Sequence, residues 1–182
     1  MRIAGIDPGP YESAYCFLNS GQPTKFGKVA NEELLGMIRR ELFADCIVPI
    51  ETIFPRGQSV GLETMNTQFW AGRFAEALDR LGTPWHKIDR QDVRFAICGS
   101  LDTNDSSVRK AIIDHYGGER SALKGKKCSL CKGRGVRRGD LCGCLSGYEI
   151  PPGPLRGVTK DMWSALAIAI AWQLRLQHRQ TA

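Results

Sequence analysis

Short apolar runs punctuated by turn residues fill the first third of the chain. Ile3-Ala4-Gly5-Ile6 runs into Asp7, and Pro8-Gly9 then turns the backbone, so the pattern predicts a strand with a carboxylate at its open end. Residues 13–18 and 24–29 read as two further strands of an antiparallel meander, joined through the loop Asn19-Ser20-Gly21-Gln22-Pro23. Asn31 is suited to cap a helix reaching about residue 43, with Leu34, Leu35, Ile38 and Leu42 on one stripe. Cys46–Glu51 is an apolar strand that again ends in a carboxylate. The helix before it calls for a crossover, so it is expected to pair in parallel beside the first strand.

The longest helical pattern covers 59–81 and stops at Gly82 and Pro84, and residues 85–88 form a short strand pattern. Helices are predicted over 92–97 and 106–116, the second ended by Gly117-Gly118. A polar stretch rich in glycine, cysteine and proline occupies 118–157. Thr159 then opens a last helix, apolar nearly all round from 162 to 176, which requires burial on more than one side. The order of elements predicts a mixed five-stranded α/β sheet flanked by helices, with Asp7 and Glu51 ending neighbouring central strands.

At 182 residues the chain is long enough for one domain over 1–182, with 118–157 as an insertion. The net charge of +6 is unevenly placed: Arg120, Lys124, Lys126, Lys127, Lys132, Arg134, Arg137 and Arg138 follow one another without an intervening acid. Such a block is either a solvated loop or a surface for a polyanion. The most apolar run, 165–172, is too short to span a bilayer, and no signal-peptide pattern precedes the first strand. A soluble cytoplasmic protein without a membrane partner is expected, and nothing points to a small-molecule substrate. Cys16, Cys46 and Cys98 stand singly in apolar runs and read as buried free thiols.

Asp161, before the last apolar helix, adds a third acid beside a core segment. Singly, each acid has an ordinary role: a turn residue at Asp7, a helix-dipole partner at Asp161. Three acids converging from three elements would repel unless a cation sat among them. Mg²⁺ or Mn²⁺ takes such oxygen ligands, and a pair of ions held this way supports phosphodiester hydrolysis.

Gly5-Ile6-Asp7-Pro8-Gly9, Ile50-Glu51-Thr52-Ile53-Phe54 and the segment from Asp161-Met162-Trp163-Ser164 to Ala169 together resemble the motifs of RuvC-type Holliday junction resolvases, which have the RNase H-like fold. The bacteriophage-encoded branch is similar also in Thr67-Gln68-Phe69-Trp70-Ala71-Gly72-Arg73-Phe74, Cys98-Gly99-Ser100 and Val108-Arg109-Lys110-Ala111-Ile112-Ile113-Asp114. For a phage protein the cytoplasm would be the host's. The resemblance implies Asp7, Glu51 and Asp161 as catalytic metal ligands, Phe54 as an aromatic entering the junction centre, Arg56 and Arg94 as DNA contacts, and a homodimer. For Phe54 the other reading is an aromatic folded back on the core. Many members carry a further acid where this chain has Ser164; Asp105 is the candidate replacement, or else a helix cap. The dimer face is expected on the 59–81 helix, where Phe69, Trp70 and Phe74 exceed one core stripe, unless all three are core.

Cys128-Ser129-Leu130-Cys131 and Cys142-Gly143-Cys144 form a CxxC and a CxC pair, the ligand set of a structural Zn²⁺ site. The first pair, with Gly133 and Gly135, resembles the CxxCxGxG modules of chaperones. Zinc would order this polar stretch. Lys132, Arg134, Arg137 and Arg138 would then form a basic finger for DNA, or the zinc a clamp between loops. The expected function is Mg²⁺-dependent cleavage of Holliday junctions or related branched DNA. The alternatives are a branched-DNA-binding protein with little or no cleavage, an RNase H-like nuclease of RNA–DNA hybrids, and a zinc-ribbon adaptor for a protein partner.

Overall fold

In the computed structural model of the protein, β1 (Arg2–Asp7), β2 (Glu12–Asn19), β3 (Gln22–Ala30), β4 (Cys46–Glu51) and β5 (Trp85–Ile88) make one mixed sheet ordered β3-β2-β1-β4-β5. β1 and β2, and β2 and β3, pair antiparallel; β4 lies parallel to β1 and to β5. The helices are α1 (Asn31–Arg39), α2 (Leu62–Arg80), α3 (Arg90–Cys98), α4 (Asp105–His115) and α5 (Met162–Thr181). The structure describes all residues except 55, 56, 58, 133, 135, 138, 139, 143, 145–147, 151 and 182, with backbone alone at 137, 140, 149, 150, 180 and 181. The chain forms two compact units, 1–108 with 158–182, and 109–157.

Alternation along the strands sorts the first unit into two layers. Ala4, Ile6, Tyr15, Phe17, Val48 and Ile50 face a core built with Leu34, Leu35 and Ile38 of α1 and Phe74 and Leu78 of α2. The opposite face carries Gly5 and Asp7 of β1, and it is covered by α5. Gly5 matters sterically: a Cβ there would lie 2.3 Å from the Ala165 carbonyl oxygen and 2.8 Å from the Ala169 nitrogen, both backbone atoms of α5. The absent side chain lets the helix lie directly on β1, and Ala165 to Trp172 are buried as the all-round apolar pattern requires.

Several boundaries differ from expectation. α1 stops at Arg39, because Glu41 adopts φ 61° and breaks the helix; Phe43 is consequently buried, while Leu42 is exposed. Asn31 is the first helical residue rather than the cap, and its buried side chain is otherwise engaged: Oδ1 accepts from the Ser13 hydroxyl at 2.6 Å, and Nδ2 donates to the Gly9 carbonyl at 3.0 Å. Asn31 therefore anchors the turn after Asp7. α5 begins at Met162 rather than Thr159, since Lys160 takes φ 45°. Cys16 and Cys46 are buried as expected, but Cys98 is only half-buried.

The β2–β3 turn uses Ser20 and Gly21, both at positive φ. A bulge then shifts the register: Leu18 pairs with Pro23, but Phe17 with Lys25 and Ala14 with Lys28. In the second unit, a π-helical turn (Arg120–Lys124) precedes two small antiparallel pairs, β6 (Lys126–Lys127) with β9 (Tyr148–Ile150) and β7 (Val136–Arg137) with β8 (Asp140–Leu141). Ala122 and Leu155 are buried there, the Leu155 N–H donating to the Ala122 carbonyl at 3.0 Å. Among the described residues no helix is long and apolar enough to cross a membrane.

Gly5→Ala should destabilise the protein by about 1–3 kcal/mol, the range for overpacking, because backbone rather than a side chain must yield. Chemical denaturation of the two proteins measures the difference.

Candidate active site

Side chains directly paired across strands share a face, and one such line crosses this sheet. Asp7 pairs with Ala14, and Ala14 with Lys28. On the other side Ile6 pairs with Ile50, so Glu51 ends β4 beside Asp7. Asp161 immediately precedes α5, and its carbonyl accepts the first helical hydrogen bond, from the Ala165 N–H at 3.2 Å. Its carboxylate meets Lys28, Oδ2 lying 2.9 Å from Nζ, while the same Nζ is 3.1 Å from Glu12 Oε2.

Asp7 is half-buried, and its carboxyl is pushed up to about 8, first by loss of solvation, then by the charges of Glu51 and Asp161. Arg90 and a hydrogen bond from Ser164 oppose the rise. The Ser164 hydroxyl thus faces Asp7. Burial raises Glu51 too, with Asp105 and Asp89 adding to the rise and Arg90 and Arg94 opposing it. This is an oxygen-only donor set short of positive charge, the environment that a hard divalent cation completes.

Asp105 is neither a free ligand nor the helix cap. Asn104 caps α4, its Oδ1 accepting from the Ser107 N–H at 2.9 Å. The Asp105 carboxylate takes Arg90 at 2.7 Å and Arg94 at 3.2 Å, and these guanidinium groups, Arg90 first, hold its pKa below the usual carboxylate range. Arg94 is therefore a paired side chain. Arg90, which bears on Asp7 and Glu51, and Lys28, paired with Asp161, carry no sequence motif.

A groove of about 460 Å³ runs past Asp7 and Glu51 and is lined also by Phe54, Arg90 and Arg94. Phe54 is 50% exposed, so it is not folded into the core. Arg56, from the same loop, lies outside the described residues. On α2, Phe74 is fully buried and Trp70 packs against the core, whereas Leu62, Met65 and Phe69 are exposed.

In the second unit the Cys128 and Cys142 sulfurs are 3.9 Å apart and those of Cys131 and Cys144 3.6 Å, and all four Sγ atoms fall within 4.8 Å of one another. Among the described residues they are the group of three or more such ligand atoms drawn this close; the three carboxylates are more loosely set, with Asp161 turned to Lys28. Lys132 and Arg134 are exposed, and Arg134 Nε donates to the Cys131 carbonyl at 3.3 Å. Arg137 is described by its backbone alone, in β7, and Arg138 lies outside the described residues.

The charge arrangement has a consequence for stability. With its folded-state value near 8 against 3.8, Asp7 does not weaken the metal-free fold below about pH 4, where it is protonated in both states. Stability is lost as pH rises between these values, by at most about 1.4 kcal/mol per pH unit. Asp7→Asn should therefore melt higher than the parent in EDTA, by a margin that grows from pH 4 to pH 8. Thermal melts across that range check the trend.

Comparison of the sequence with protein-family models and with curated proteins finds no match. Among solved structures, Thermus thermophilus RuvC superposes with a TM-score of 0.61 at 16% identity, over 98% of this chain and 96% of that one. The same protein in complex with a Holliday junction substrate gives the same figures. Spread over nearly the whole of both chains, this likeness establishes the fold: a RuvC-like, RNase H-type mixed sheet flanked by helices, with a four-cysteine cluster before the last helix.

Proposed function

We propose that the protein is a divalent-metal-dependent endonuclease that cleaves Holliday junctions or closely related branched DNA. What supports this reading is that Asp7, ending β1 beside Glu51 on a RuvC-like sheet, feels the charges of both Glu51 and Asp161 and is pushed up to about 8. Asp7, Glu51 and Asp161 would hold Mg²⁺ or Mn²⁺, which when bound supplies Lewis acidity toward the phosphodiester and a nucleophilic water at neutral pH. Ser164 keeps the Asp7 carboxylate oriented through its hydrogen bond. Arg90 and Arg94 line the groove and bring positive charge to a phosphate lying there, with Asp105 fixing both guanidinium groups. Phe54, exposed at the groove rim, is available to stack on an unpaired base at a branch point. Arg56 and the basic residues Lys132, Arg134, Arg137 and Arg138 add contacts to the backbone of the arms.

A homodimer matches the two-fold symmetry of a four-way junction. Leu62, Met65 and Phe69 support it, exposed at spacings of three, four and seven along α2. A second reading, junction binding with little cleavage, draws on Ser164, because an acid is replaced by a neutral group.

In the second unit we assign a structural Zn²⁺ to Cys128, Cys131, Cys142 and Cys144. Zn–S bonds of about 2.3 Å in a tetrahedron set sulfurs about 3.8 Å apart, and the two closest pairs stand at 3.9 and 3.6 Å. Four thiolates complete the coordination, so this metal braces the fold and takes no part in the reaction.

Labelled four-way junction, flap, duplex and RNA–DNA hybrid substrates in Mg²⁺ test the function. Paired, symmetric nicks in the junction are expected, and Asp7→Asn should bind it with unchanged affinity while cleaving at least 100-fold more slowly. Equal binding with and without EDTA and intact strands would favour the second reading. The purified protein should contain one zinc per chain by elemental analysis. Chelation should raise proteolysis within 109–157 and leave the remainder of the chain protected.

A further inference from the structure

We propose that Lys28 is a tethered cation that competes with divalent metal for Asp161, so that this residue sets the metal occupancy of the site. The inference rests on the metal-dependent reading above and adds to it a residue that no motif marks.

Three observations carry it. The Lys28 ammonium lies 2.9 Å from Asp161 Oδ2, a direct charge-assisted hydrogen bond to an oxygen that a metal would need. Glu12 Oε2 lies 3.1 Å from the same Nζ, so the lysine is paired with two acids. Its origin in the sheet is also set: through Ala14, Lys28 lies on the same line across the strands as Asp7.

The register makes this placement specific. With an unbroken two-residue hairpin the pairing Leu18 with Pro23 would continue to Ala14 with Gly27, and Lys28 would project from the opposite face. The bulge beyond Pro23 brings Lys28 onto the Asp7 face instead. Ser164 sharpens the outcome. Because a hydroxyl stands one turn into α5, Asp161 is the acid that the start of this helix offers, and its Oδ2 is already taken by an ammonium. A divalent ion held by Asp7 and Glu51 faces Arg90, which bears on both acids through its charge while its hydrogen bond goes to Asp105; one that also needs Asp161 must displace Lys28 itself. Phosphate can assist that exchange, since an anion in the site offers the ammonium another partner.

Calorimetric titration of Mn²⁺ into the DNA-free protein tests the proposal, with Lys28→Met, Lys28→Arg and Lys28→Met/Asp161→Asn beside the parent and thermal melts confirming that each is folded. The expected result is that Lys28→Met binds Mn²⁺ at least 10-fold more tightly, or gains a second equivalent. Lys28→Arg should stay weak like the parent, and Lys28→Met/Asp161→Asn should lose the gain. Unchanged or weaker binding by Lys28→Met would overturn the proposal, and so would a gain that survives removal of Asp161. The two readings fail separately: a parent whose Mn²⁺ binding is abolished by Asp7→Asn but indifferent to Lys28 refutes this inference alone, whereas a parent that binds no Mn²⁺ in either background refutes the metal-dependent reading itself.

Discussion

Asp7 sits half-buried at the end of β1 beneath the first turn of α5, with Glu51 and Asp161 close enough for their charges to bear on it. Burial and like-charge repulsion both disfavour its ionised form, and a fold that retains such a group bears a cost that a hydrophobic residue would avoid. The surrounding structure is arranged around that cost. Arg90 faces Asp7 and Glu51, Asp105 holds Arg90 and Arg94, Lys28 takes Asp161, and Ser164 donates to Asp7. These groups moderate the repulsion without removing it, since Asp7 remains pushed up to about 8. The remaining deficit of positive charge is what a divalent ion would supply.

Two packing devices put the acids where they are. Gly5 lets the backbone of α5 rest on β1, which brings Asp161 and Ser164 over the end of the strand. Asn31 joins Ser13 to the Gly9 carbonyl, while the Gly9 N–H donates to the Ser13 hydroxyl at 3.2 Å, so the turn after Asp7 is tied to β2 and α1. Lys160, at φ 45°, gives the sharp entry that places Asp161 just ahead of the helix. A non-glycine residue in this region bears some strain, and its place beside a site residue fits a backbone shaped for function rather than stability.

Much of this was legible before any coordinates. Each of β1 and β4 is an apolar run ending in an acid, and the crossover helix between them made parallel pairing the natural expectation; both features held. Phe54, too, stands in the groove beside the acids. What escaped were two of the cations. Lys28 reaches the site because of a one-residue bulge, and a slip of one residue reverses every side chain beyond it, which no periodicity reveals. Arg90 opens α3 as one polar residue among several, and only the fold brings it to Glu51 and Asp105. Asn31 and Asp105 carried the right composition for caps, but tertiary partners claimed both side chains. The cysteine pairs were the opposite case: their spacing alone predicted a close quartet, because short ligand pairs leave the backbone few other ways to fold.

The two units divide the labour in physical terms, one organised by a packed sheet, the other small, polar and gathered around four thiols. Only the first carries the account's central claim, that a divalent ion completes the carboxylates at the end of β1. A crystal of the protein soaked in Mn²⁺, with data collected at the manganese absorption edge, addresses that claim most directly. The account predicts an anomalous peak coordinated by Asp7 together with Glu51. Full manganese occupancy elsewhere with no peak at Asp7 would contradict it.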